Sequence, residues 1–290
     1  MSYPPAVIPA AEIAAFKHSA PSPLGGNTEW AQRQGAELRR VFHAHAAVAP
    51  RTLQRTLGPS ELGIRCDRQV AGKMAMIPIT NHVADPWPSI RGTALHVYAE
   101  GAFAAENVRL GLDPAAPRWL TERKVSPFVT ENGDGPGTAD LYDCWQRALI
   151  DWKFLGETSM AKVRSPHGPP IHYQIQMILY AQGYRNLGYP VDRVVLAAMP
   201  ATAASLDGMY LWDHPYSIAD DQLIAEVIDR TAYRRRWAEA IIGGRAALLD
   251  VPAVPDDSDC YFCPFYRPQS ARDGMSGCPG TIGHRDQLGR

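Results

Sequence analysis

Polar and apolar positions along this chain follow two periods, and the change of period divides it into elements. From Glu29 to Val48 they mix at helical spacing, with Arg33, Arg39, Arg40, His43 and His45 close together. GPSELGIRCDRQVAGKM reads as a helix with Ser60 as N-cap and Cys66 on it. RGTALHVYAEGAFAAENV predicts another, starting near Thr93, with His96 and Glu100 on one side. The period then shortens. WLTERKVSPFV, GTADLYDCW and RALIDWKF predict three strands, with the turn-rich ENGDGPG before the second. After the loop SPHGPP, a helix runs through IHYQIQMILYAQGYRNLG and stops near Gly188 and Pro190. DRVVLAAMP is a short apolar strand, and IADDQLIAEVIDRTAYRRRWAEAIIGG a long helix opened by Asp220 and Asp221. The order predicts an α/β protein with a mixed central sheet flanked by helices. A Pro/Ala-rich arm spans residues 1–28, one domain spans 29–278, and a tail spans 279–290.

Apolar residues make up 46% of the 290 and charged residues 20%, which fits a chain with a sizeable core. A net charge of −1 excludes a globally basic nucleic-acid binder and leaves a local basic groove open. No apolar run approaches the roughly 18 residues of a membrane span. The first residues lack a basic region followed by a long apolar one, so a secretory signal is not expected. Five cysteines are too few for a disulfide scaffold, and the odd count fits a reducing compartment. A soluble, cytoplasmic protein is the expectation.

The candidate chemistry sits in GTADLYDCWQRALIDWKF. Asp151 and Lys153, two apart on a strand, share a face, and Trp152 points away. Hairpin pairing brings Asp140 across from Asp151 or Lys153 on that face. Two close carboxylates repel unless a cation sits between them, and oxygen ligands suit Mg²⁺ or Mn²⁺. Lys153 then offsets charge developing on a phosphoryl oxygen or positions a water. The plain alternative is a surface hairpin with a cross-strand ion pair. Cys260 and Cys263 form a C-x-x-C in an irregular tail, with Cys278 following and Cys66 far upstream. Without a thioredoxin-like context this is a metal-binding pattern more than a redox one.

Gly137-Thr138-Ala139-Asp140 followed by Asp151-Trp152-Lys153 resembles the G-x-x-D … (D/E)-x-K core of the PD-(D/E)XK nucleases. Gln176 to Tyr180 resembles the Q-x-x-x-Y motif of the RecB-type branch, and His96 stands where that branch has its helical histidine. The resemblance runs from about Ser60 to Cys278 and implies a restriction-endonuclease-like core with a helical N-terminal part. It implies that His96, Asp140, Asp151 and the Trp152 backbone carbonyl bind Mg²⁺ or Mn²⁺, with Lys153 catalytic, and that Gln176 and Tyr180 lie near DNA. Glu122 and Glu100 are further carboxylates that can be ligands or neighbours of ligands.

Some RecB-type nucleases, among them the AddB subunit and CRISPR-associated exonucleases, carry one cysteine before the core and three after it, binding a four-iron four-sulfur cluster. Cys66, Cys260, Cys263 and Cys278 are similar to those four, with Cys144 left over. The competing assignment is zinc on Cys260, Cys263, Cys278 and His284. Either metal staples the irregular C-terminal tail.

The implied activity is that of a DNA exonuclease acting on single strands or ends in recombination, repair, or phage- or CRISPR-type DNA processing. Arg234, Arg235, Arg236, Lys162 and Arg164 are candidates for holding DNA, although the arginine run reads equally as a solvated helix face. Implied partners are DNA, a second copy of the chain, or a recombination or CRISPR-type protein, with no membrane. The rival reading is a non-catalytic, metal-stapled DNA-binding or assembly module. A sequence-specific endonuclease is a third.

Overall fold

A computed structural model describes residues 29–47, 57–81, 85–128, 135–254, 257–270 and 276–280. The arm at 1–28, residues 281–290 of the tail and His284 lie outside them. Two compact units divide the chain, Met1–Thr52 and Leu53–Arg290. In the first, helix α1 (Glu29–Ala47) buries no residue. Helix α1 lies within the first of these units.

In the second unit, the central sheet has five strands in the order β1 (Trp119–Val125), β2 (Gly137–Asp143), β3 (Ala148–Leu155), β4 (Arg193–Pro200) and β5 (Tyr210–Pro215). Neighbours pair antiparallel except β3 and β4, which are parallel, so the sheet is mixed. It is flanked by helices, as the periodicities predicted.

The β2–β3 hairpin is set locally. Asp143 Oδ1 accepts from the backbone N–H groups of Trp145 and Gln146, and Arg147 adopts φ 50° to close the turn. The parallel step from β3 to β4 needs a crossover, supplied by α5 (Glu157–Val163) and α6 (Ile171–Asn186).

Alternation along the strands feeds two cores. Leu149 and Leu155 of β3, with Val194, Leu196 and Ala198 of β4, face α6 and pack on Met177, Tyr180, Ala181 and Tyr184. Ile150, Trp152 and Phe154, with Ala197 and Met199, face the other way, onto Leu95, Ala99 and Phe103 of α4 (Trp87–Arg109). The far side of α6 presents Ile178 and Leu179 to a third cluster. Its other members include Leu62 of α2 (Pro59–Leu62), Val70 of α3 (Asp67–Met74), and Ile224 and Val227 of α7 (Ile218–Ile242). A short helix, α8 (Asp257–Phe262), interrupts the otherwise irregular C-terminal part.

Three local expectations are corrected. The helix predicted across Ser60 and Cys66 is two, α2 capped by Gly58 and α3 capped by Cys66, so Ser60 is no cap and Cys66 sits at a helix entrance. The break falls at Gly63, where a Cβ would come within 2.9 Å of the His172 carbonyl oxygen. Helix α4 begins at Trp87, ahead of Thr93.

Candidate metal centre and cysteine pocket

The site forms where β2 and β3 part. Their ladder pairs Asp143 with Ala148, Tyr142 with Leu149 and Leu141 with Ile150. Beyond that, the Asp140 carboxylate takes over. Its Oδ2 accepts the Trp152 backbone N–H at 2.8 Å, so a side chain bridges the two diverging strands. Gly137 lets the start of β2 approach α2 and α6, since a Cβ there would lie 2.6 Å from Pro59 Cδ and 2.9 Å from the Tyr180 ring.

Two layers reach into this fork. From α4, His96 Nδ1 lies 3.4 Å from Asp140 Oδ1 and 3.3 Å from Glu122 Oε1 of β1. From α6, Gln176 Nε2 donates to Asp151 Oδ1 at 3.1 Å. Lys153 Nζ makes an ion-pair contact of 2.5 Å with Asp151 Oδ2 and lies over the Tyr173 ring. Asp151 is 1% exposed and Asp140 8%.

Burial at this depth makes charge expensive, and the groups respond accordingly. Hydrogen bonds to Asp140, then to Glu122, push His96 up to about 9. Desolvation drives the Asp151 carboxyl up to about 6, against the opposing pull of Lys153. For Lys153, burial disfavours the ammonium, but Asp151 and Asp140 outweigh it and hold its pKa above the ordinary lysine value.

The residues fit a divalent cation. His96, Glu122 and Asp140 offer three ligand atoms within 4.8 Å of one another, and Asp151 Oδ2 is buried with no well-formed hydrogen bond beyond its contact with Lys153. Oxygen ligands with one imidazole suit Mn²⁺ or Mg²⁺. The structure thus brings together His96, Asp140, Asp151, Trp152 and Lys153 and adds Glu122, while Glu100 is exposed on α4.

Gln176 and Tyr180 are 7% and 6% exposed. Tyr180 packs in the core between the sheet and α6. Gln176 orients Asp151.

Among the basic residues, Arg234 is corrected outright. It is 1% exposed, and its Nε donates to Asp67 Oδ1 at 2.6 Å and its Nη1 to the Leu62 carbonyl at 2.9 Å. Its Nη2 reaches the Ile64 carbonyl. Arg230 adds bonds to Asp67 and to the Arg65 carbonyl. Together they brace the turn that leads into Cys66.

Cys66, Cys260, Cys263 and Cys278 line one cavity, with Arg68, Phe265, Tyr266 and Gly280. Arg68 Nη1 donates to Cys278 Sγ at 3.2 Å, while its Nε and Nη2 hold the Val251 and Leu249 carbonyls. Burial pushes the Cys263 thiol up to about 12, as befits a sulfur shielded from water. Among the described residues, no three of these sulfurs approach within the 4.8 Å that groups the His96 cluster. Tetrahedral zinc at about 2.3 Å from each sulfur would hold them about 3.8 Å apart. Cys144 stands apart, half-buried after β2.

No family model matches the chain, and no curated protein matches it. Solved structures resemble it, three of them as follows. The protein SSO0001 aligns with a TM-score of 0.38 at 18% identity, over 83% of this chain and 96% of that one. A phage-related exonuclease from Haemophilus somnus 129PT aligns at 0.40 and 14% identity, over 62% and 82%. An alkaline exonuclease, LHK-Exo from Laribacter hongkongensis, aligns at 0.43 and 13%, over 65% and 90%.

Proposed function

We propose that this protein is a metal-dependent DNA exonuclease of the RecB-like type, hydrolysing phosphodiester bonds of single strands or DNA ends. The observation that carries this reading is the fork between β2 and β3, where two buried carboxylates, an imidazole and a half-buried ammonium converge. So many ionisable groups in one apolar setting are costly to a fold, and such clusters occur where chemistry needs them.

A bound Mg²⁺ or Mn²⁺ would supply Lewis-acid stabilisation of a phosphoryl oxygen, with His96, Asp140, Asp151 and the Trp152 carbonyl as its protein ligands. The chain's own residues prepare the site. The Trp152 N–H fixes the Asp140 carboxylate, and Gln176 fixes that of Asp151. Lys153, held charged by Asp151, directs its ammonium at the negative charge that develops on phosphorus-bound oxygens and orients the attacking water.

The cysteine pocket is part of the same proposal. It holds a four-iron four-sulfur cluster in preference to zinc, a choice supported by four sulfurs, Cys66 among them, that line one cavity.

The test uses end-labelled linear and closed circular DNA with Mg²⁺ or Mn²⁺. Linear DNA should be degraded from its ends, and circles should survive. Asp151→Asn and Lys153→Met should each lose about 10²-fold or more in rate while retaining the wild-type circular dichroism spectrum. A wild type without cleavage, or undiminished cleavage in either variant, contradicts the assignment.

A further inference from the structure

Glu122 is the carboxylate of this region that the (D/E)-x-K pattern leaves without a task. In the β1–β2 register it stands between the pairs Thr121–Leu141 and Arg123–Ala139, directly across from Asp140. Its backbone adopts φ 45°, a left-handed conformation that a strand residue other than glycine rarely takes. Its Oε1 lies 3.3 Å from His96 Nδ1, which in turn lies 3.4 Å from Asp140 Oδ1.

An octahedral ion about 2.1 Å from each ligand separates adjacent ligands by about 3.0 Å. The two contacts of His96 Nδ1 stand a few tenths of an ångström outside that spacing, and all three ligand atoms lie within 4.8 Å of one another. They come from three elements, α4, β1 and β2, so the geometry belongs to the fold.

Asp151 offers a second, separate observation. It is 1% exposed and has one oxygen taken by Gln176. Its other oxygen has the Lys153 contact and no well-formed hydrogen bond. Asp151 therefore still offers one oxygen to a cation, and the carboxylate that β1 turns toward the imidazole is that of Glu122.

We propose that Glu122 is a ligand of the divalent cation, which on this side of Asp140 is held by His96 Nδ1, Glu122 Oε1 and Asp140 Oδ1. This rests on the proposed metal dependence and extends it from the hairpin to β1. One imidazole among carboxylates tilts the site toward Mn²⁺ over Mg²⁺. The alternative is a purely structural ion triad, in which an imidazolium joins two carboxylates and no cation is needed.

Mn²⁺ binding to the full-length, EDTA-treated protein, followed by the electron paramagnetic resonance signal of free Mn²⁺, separates the two. Glu122→Gln keeps the size of the side chain and removes its charge, and should weaken Mn²⁺ binding at least about 10-fold, as His96→Ala should. Glu100→Gln, on the exposed face of α4, should bind as wild type. The same variants are to be melted with and without Mn²⁺, because a ligand raises stability only where it binds. The Mn²⁺-induced rise in Tm should shrink in Glu122→Gln and persist in Glu100→Gln.

If Glu122→Gln does not fold, Glu122→Asp, which keeps the charge and withdraws it by one methylene, carries the same readout and should also lose affinity. Mn²⁺ binding within two-fold of wild type in the folded Glu122 variant, with His96→Ala impaired, overturns the proposal and leaves the metal reading standing. A wild type with no saturable Mn²⁺ binding overturns both.

Discussion

Between Asp140 and Glu122, His96 is an imidazolium at neutral pH in the metal-free protein, since its pKa is raised to about 9 from an ordinary 6.5. A group whose pKa rises on folding stabilises the fold fully below the unfolded value, and that contribution fades as pH climbs through the folded value. The Tm of the protein in EDTA should therefore fall between pH 6.5 and about 9, and His96→Ala should flatten that slope. Equal slopes in the two proteins would show that the imidazolium contributes nothing to the fold.

At this scale the sequence was legible where spacing alone fixes a face. Asp151 and Lys153, two apart on a strand, had to share one, and hairpin parity brought Asp140 to it. Arg234 was not legible from the run it belongs to. Its spacing to Val227, Thr231 and Ala238, all buried on the same helix, is the signal that distinguishes it from Arg235 and Arg236. Glu122 was named only beside Glu100, and no spacing separated the two, because the aim of Glu122 depends on a backbone turn that no pattern of residue types announces.

Among the elements, the long periodic ones were read closely and the short ones were not. Strand β5 went unrecognised although Tyr210, Trp212 and His214 alternate with more exposed neighbours. Helix α5 spans only Glu157–Val163, too short to show a period. The split between α2 and α3 was hidden because the approach of Gly63 to α6 is a tertiary fact.

That split gives the arginine pair its work. Carbonyls freed where α2 ends and α3 has not begun are taken by Arg234 and Arg230, and Asp67 neutralises both. Removing one partner of a buried pair strands the charge of the other. Arg234→Met should cost about 3 kcal/mol, read by chemical denaturation, with Arg230 retaining part of the neutralisation. The same variant should lose bound metal from the cysteine pocket, because the turn it braces carries Cys66. A change within about 0.5 kcal/mol, the range of an ordinary surface substitution, would show that the clamp is not needed.

For the whole molecule, the sheet and its two covering layers came from order and period, whereas the division at Thr52 did not. No feature of composition separates α1 from the chain beyond it. The cysteine pocket was legible as a set of residues, and its unity as one cavity needed the fold. Anaerobically purified protein should be brown, with iron and acid-labile sulfide in equal amounts. Cys66→Ala should lose both and melt lower, while Cys144→Ala should keep both and change stability by about 1 kcal/mol at most. A colourless protein with one zinc per chain contradicts the cluster, and full iron retention in Cys66→Ala removes that residue from it.

The joining of Cys66 to Cys260, Cys263 and Cys278 in one cavity also imposes an order in time. Chains are made from the N-terminus, so Cys66, the five strands and the carboxylate fork between β2 and β3 are all synthesised before the last three sulfurs emerge. On the proposed reading, a cluster finds its full set of four sulfurs only once the sheet has been synthesised. Under that reading, a cell short of iron would accumulate molecules whose carboxylate fork is complete and whose cysteine pocket is not closed. The open pocket would then be where such molecules first meet a protease, and trimming there would mark the iron supply under which each was made.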